Sequence, residues 1–137
     1  MVAAGIVAIL AAIAIPSYQS YVAQAKVAAA TTDIMKIAQA IERYKSQNWS
    51  IPPNLTAIGL DKLLDPWGRP YSYLSFTGLK GKGQMRKDKN LVPINTAYDL
   101  YSLGADGLSK PPLTAPVSYD DVILANDGGY IGLASNY

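Results

Sequence analysis

Cysteine and histidine are both absent from this chain of 137 residues. No disulfide framework, thiolate zinc site, cysteine nucleophile or Ser-His-Asp triad can be built without them. Charge is scarce too: 16% of residues carry it, against about a quarter in an ordinary soluble domain. With 12 basic and 10 acidic side chains the net charge is +2, too little to hold nucleic acid by bulk electrostatics. Lack of cysteine leaves the redox compartment open. The length suits one small hydrophobic core.

The charge that exists begins only at Lys26, after an opening run Met1-Val-Ala-Ala-Gly-Ile-Val-Ala-Ile-Leu-Ala-Ala-Ile-Ala-Ile15. As helix that run reaches roughly 22 Å, short of a bilayer core of about 30 Å. Continuing through Pro16 to Ala23 makes the span sufficient, with Tyr18 and Tyr21 suited to a membrane–water boundary. Three readings compete. A buried soluble helix would show polar punctuation. A secretory signal peptide would use Ala23-Gln24-Ala25 as its small-x-small cleavage site, but no positive n-region stands before it. We favour a membrane-anchoring segment, residues 1–25, that continues into a soluble helix, residues 26–47, of a domain spanning 26–137.

The continuation rests on periodicity. Val27, Ala30, Ile34, Ile37, Ile41 and Tyr44 recur at spacings of three and four, marking one apolar helix face. Asp33 and Lys36 are placed for an i,i+3 pair. The helix should stop near Ser46 to Asn48, ahead of Trp49 and Pro52-Pro53. Pro16 should kink or loosen it.

From residue 50 to 137 the pattern changes to short elements and turns. A short helix is predicted over Leu55–Leu64 with Asn54 as N-cap, then a turn cluster Asp65-Pro-Trp-Gly-Arg-Pro70. Strands are predicted at Tyr71–Phe76 and Tyr98–Leu103, with a third at Asp121–Ala125 or Gly129–Leu133. The fold class is therefore α+β: one long N-terminal helix packed on a small antiparallel sheet, with a loop-rich C-terminal region. The cationic stretch Lys80–Lys89 lacks interleaved aromatics and P-loop glycines, so it is taken as a solvated hairpin loop, with an electrostatic contact to an acidic neighbour as its functional alternative.

Acids collect at the other end: Asp99, Asp106, Asp120, Asp121 and Asp127 follow position 98 with only Lys110 against them. Asp106 lies in Ser102-Leu-Gly-Ala-Asp-Gly107, and Asp120-Asp121 follow a proline-containing loop. Calcium takes six to eight oxygens from carboxylates and carbonyls, which two such loops can supply by converging. Ordinary Asp-Gly turn chemistry explains the same residues, and the spacing does not fit an EF-hand. No nucleophile has an evident base, and a domain this small offers no cleft for a carboxylate-pair hydrolase. Nothing here reads as an enzyme.

Two motifs, Asp65-Pro-Trp-Gly-Arg-Pro-Tyr-Ser-Tyr73 and Tyr98-Asp-Leu-Tyr-Ser-Leu-Gly-Ala-Asp-Gly107, stand in that order after a helix carrying Ile9-Leu-Ala-Ala-Ile-Ala-Ile-Pro-Ser-Tyr18. Together they resemble the type IV pilin-like superfamily, most closely the major pseudopilins of type II secretion systems. The resemblance implies a homopolymer packed through its N-terminal helices into a filament that drives folded proteins through an outer-membrane secretin. The partners it implies are minor pseudopilins, an inner-membrane assembly platform and, before assembly, the inner membrane itself; nucleic acid is not among them. The location implied is a single-pass inner-membrane monomer with its globule in the periplasm, then a periplasmic or extracellular filament. The family's calcium site would fall on Asp106, Asp120 and Asp121, with the Leu103 carbonyl and Ser102 beside them.

Aligned on Pro16, the family's basic leader and its Phe-Thr-Leu-Ile-Glu-like mature start would lie ahead of Met1. The stretch Leu108–Tyr119 is longer than the family's compact acidic loop, which puts the calcium geometry in question. The nearest alternative is a major type IV pilus subunit for adhesion, motility or DNA uptake; many of those close with a disulfide, which this chain cannot form. A third reading is a secreted, calcium-stabilised binding domain.

Overall fold

The computed structural model describes residues 2–137. Helix α1, Val2–Asn48, is 47 residues long, about 70 Å at 1.5 Å per residue. It passes through Pro16 unbroken, although the ring has no N–H to give the ladder. Every residue from Val2 to Ala25 is exposed, and the first partly covered ones are Lys26 and Val27. Beyond them Ala30, Ile34, Ile37 and Ile41 are fully buried, while Val27 and Tyr44 of the same stripe are half-buried. Each such isoleucine is worth about 1.5–3 kcal/mol of apolar transfer. Lys36 pairs with Asp33 at 3.1 Å, and Tyr71 OH donates to the other oxygen of Asp33 at 3.1 Å. The helix closes where expected, with Trp49 N donating to the Lys45 carbonyl at 2.8 Å. Trp49 takes the left-handed conformation usually given to glycine, φ 55.

The predicted helix over Leu55–Leu64 is a single 3₁₀ turn, Leu55–Ile58. Asn54 does cap it, accepting from Ala57 N at 3.1 Å. Gly59, φ 71, then ends it by donating to Thr56 O while Leu60 N reaches Leu55 O. A left-handed glycine is a stop signal that the short apolar run did not outweigh.

Four strands follow: β1 Ser72–Ser75, β2 Tyr98–Ser102, β3 Val122–Ala125 and β4 Tyr130–Leu133. They form one antiparallel sheet in sequence order. Both segments proposed for a third strand are thus strands, paired as a hairpin.

Alternation along β2 and β3 sends side chains to opposite faces. Tyr98, Leu100, Val122 and Leu124 face α1 and join its isoleucines in the main core. Ile123 and Ala125 point the other way, into a second cluster with Ile94, Leu113 and Ala134. That second face is covered by the long loops between β1 and β2 and between β2 and β3. The expectation of a wholly solvated 80–89 loop is accordingly corrected: Met85 and Arg86 in it are buried, Arg86 to 2% exposure.

Three core phenols carry a pH consequence. Burial, with the carboxylate of Asp33 adding to it, pushes the Tyr71 hydroxyl up. Burial pushes Tyr73 and Tyr98 up to about 12. Their folded pKa exceeds the unfolded value of 10.0, so the stability they contribute is intact below pH 10 and lost as pH rises through about 12. Tyrosinate absorbance and circular dichroism in an alkaline titration should show these phenols ionising together with loss of the sheet. Ionisation of all tyrosines ahead of unfolding would contradict it.

Candidate functional site

Two features distinguish this molecule, and neither is a catalytic cleft. One is the projecting half of α1. An 18-residue window within it has a mean hydropathy of 1.9, and none of it is buried against the globule. Val2, Ile6, Val7, Ile9, Leu10, Ile13 and Ile15 are all more than half exposed. The stretch from 2 to 23 measures about 33 Å as helix, enough for a bilayer core. Water is the one environment in which so large an apolar surface is not stable.

The other feature is the end of the globule where the two sequence motifs meet. Asp65, 4% exposed, turns its own loop by accepting from Trp67 N at 3.0 Å and Arg69 N at 2.9 Å. Its second oxygen accepts from Ser102 Oγ on β2 at 2.5 Å. Arg69, four residues on, donates to the Gly104 carbonyl at 2.7 Å and the Ala105 carbonyl at 3.4 Å. Gly107, φ 71, lies so close that an added Cβ would stand 2.6 Å from the guanidinium carbon of Arg69. The motifs are halves of one interlocked unit, joined through Asp65 to Ser102 and through Arg69 to the Gly104 and Ala105 carbonyls.

The structure places the five candidate calcium ligands in different roles. Asp106 and Asp120 come together: Asp120 Oδ2 accepts from Asp106 N at 2.8 Å, and Asp106 Oδ1 from Leu108 N at 2.7 Å. The Leu103 carbonyl accepts from Gly107 N at 3.2 Å. Ser102 Oγ is engaged with Asp65 and with Gly104 N. Asp121 points inward, fully buried, and pairs with Arg86 Nη2 at 2.6 Å. Ser109 Oγ donates to the same Asp121 oxygen at 2.6 Å. Burial pushes the Asp121 carboxyl up to about 6, against the pull of Ser109 and Arg86.

Calcium wants six to eight convergent oxygens. Among the described residues no three His, Cys, Asp or Glu side chains group to hold a metal, and all five positions already accept hydrogen bonds from the protein through atoms proposed as ligands. As arranged, the set does not fit the ion.

Arg86 is what the sequence reading missed. Its backbone N–H donates to Asp99 Oδ2 at 2.6 Å, its Nη1 to Ser109 Oγ and, at 2.9 Å, to the Lys110 carbonyl. Its guanidinium lies 4.4 Å from the Tyr101 ring centroid. One signal was available: it is the lone arginine among Lys80, Lys82, Lys87 and Lys89, and arginine is the cation suited to burial in a forked ion pair. Asp127, counted among the acids, is elsewhere, accepting from Thr96 N and Oγ1 at 2.8 and 3.0 Å to anchor the β3–β4 turn.

Residues 16–65 match the family model described as type IV minor pilin ComP, DNA uptake sequence receptor. That match covers the helix from Pro16 onward and the connection after it, ending at Asp65 before the sheet begins. Over 130 residues the chain is 36% identical to the type II secretion system core protein G of Pseudomonas aeruginosa, covering 78% of this chain and 79% of that protein. No solved structure matches it. Long helix, four-stranded sheet, interlocked motifs and this relative agree: the chain is a type IV pilin-like pseudopilin, a member of the core protein G family of type II secretion systems.

Proposed function

We propose that this chain is the repeating structural subunit of a periplasmic pseudopilus whose growth drives protein export by a type II secretion system. The observation that carries the reading is the uncovered apolar half of α1, rigidly continuous with a folded globule. Lipid covers such a surface in a single-pass inner-membrane monomer, and the same surface of other copies covers it in a filament. Exchange between the two costs little, because both environments are apolar. The globule then coats the filament, and subunits added at the membrane push it outward toward the secretin. Minor pseudopilins and an inner-membrane platform are the partners this scheme requires. The name of the Pseudomonas aeruginosa relative supports it.

A charge in the apolar segment tests the scheme. Leu10→Arg places a guanidinium where each copy would pay about 2.5–3.5 kcal/mol in lipid. Filaments seen by electron microscopy and secretion of exported proteins should both be lost, while the globule melts as in the parent. Normal filaments and normal export from this variant would reject the reading.

The second reading, a type IV pilus subunit, is favoured by the match to the ComP family model. Deleting the gene separates them: lost export supports the pseudopilus, whereas intact export with lost twitching or DNA uptake supports the pilus.

A further inference from the structure

We infer that Arg86 is the cation that closes the acidic C-terminal loops of this protein, so that its globule folds and stays folded without a divalent metal ion. The inference stands on the globule alone and does not depend on how the helices assemble.

The guanidinium gathers oxygens from separate pieces of chain as a bound cation would. Nη2 meets Asp121 Oδ2 at 2.6 Å, while Nη1 meets Ser109 Oγ and the Lys110 carbonyl. Asp121 is 35 residues away in sequence, so the contact ties the β1–β2 connection to the β2–β3 connection. Backbone pairing extends from the same point: Lys87 N donates to Pro111 O at 3.0 Å and Leu113 N to Lys87 O at 2.8 Å. The tyrosine face at 4.4 Å covers the cation on one side.

The unpartnered atoms belong to the same pair. Two buried side-chain polar atoms have no partner among the described residues, Arg86 Nε and Asp121 Oδ1. One is a donor and the other an acceptor, on the two members of this pair. A guanidinium edge carries two parallel N–H groups that match the two oxygens of a carboxylate. Each orphaned atom is the chemical complement of the other, so the second oxygen of Asp121 has its donor type on the same guanidinium. A divalent cation at Asp121 would instead stand against a fixed positive charge. The Leu108–Tyr119 segment supplies Ser109 and Lys110 to the guanidinium.

The full chain in detergent micelles provides the test, read as Tm by near-ultraviolet circular dichroism in excess EGTA and in millimolar calcium. The parent should melt at the same temperature in both. Arg86→Gln should lower Tm by roughly 10 °C or more, since it strands a buried carboxylate, and Arg86→Lys should recover part of that loss by restoring a cation. If Arg86→Gln gives no folded protein, the calcium comparison on the parent and the Arg86→Lys melt still decide. A parent Tm that falls in EGTA would overturn the inference, as would an Arg86→Gln variant that melts like the parent in EGTA.

Discussion

Asp65→Ala is expected to lower the stability of the globule by about 3–5 kcal/mol, with a fall in Tm of order 10–20 °C. The carboxylate accepts three hydrogen bonds, from Trp67 N, Arg69 N and Ser102 Oγ. Bonds to an ionised acceptor are worth about 1.5–3 kcal/mol each, and their loss is not additive. Alanine releases the turn and leaves the Ser102 hydroxyl, itself fully buried, with only the Gly104 N–H beside it. Without the turn, Arg69 is no longer held over the Gly104 and Ala105 carbonyls. Asp65→Asn should lose less, about 1–2 kcal/mol, because one acceptor oxygen survives to hold the turn. Thermal melts of the full chain in micelles check both variants. An Asp65→Ala protein melting within a degree or two of the parent would show that the two motifs do not depend on one another.

Gly104→Ala is the second large effect, about 2–4 kcal/mol, and its cause is steric. Gly104 has φ +63, and an added Cβ would stand 2.2 Å from the Asp120 carbonyl oxygen and 2.7 Å from its Oδ2. Two backbones would have to part, taking the Asp106–Asp120 contact with them. The conformational part of the cost can be measured separately. Gly59 has nearly the same backbone, φ +71, with nothing within 4 Å of its added Cβ, so Gly59→Ala should cost only about 1 kcal/mol. Equal melting temperatures for the two variants would mean that the close approach at Gly104 carries no energy. The expected gap between them is the steric penalty.

Much of the architecture was legible because periodicity and punctuation are local. A stripe at Ala30, Ile34, Ile37 and Ile41 requires a helix face, and the same four residues are fully buried. Tyr98 to Leu103 alternates as a strand does, and β2 runs Tyr98–Ser102. The Leu55–Leu64 helix failed for an equally local reason, a left-handed Gly59, whose weight against an apolar run cannot be judged without knowing where the chain must go next.

The acidic cluster was less legible because carboxylates look alike in sequence. Asp106, Asp120 and Asp121 form one group by composition, yet Asp120 faces a loop amide and Asp121 a buried guanidinium. Adjacent residues at the mouth of a strand point to opposite sides, so neighbours in sequence need not be neighbours in a site. Arg86 illustrates the converse, since a residue inside a lysine-rich loop is drawn inward by a partner 35 positions away.

Absence of cysteine and histidine, the late first charge and the unbroken apolar run were decisive by themselves. They exclude thiol and imidazole chemistry and require a lipid- or protein-covered helix, because composition and local spacing alone control those outcomes. Which oxygens meet which cation was decided only by the tertiary fold. That pairing depends on two long loops closing over the second face of the sheet, and no local pattern in the chain encodes the distance between them.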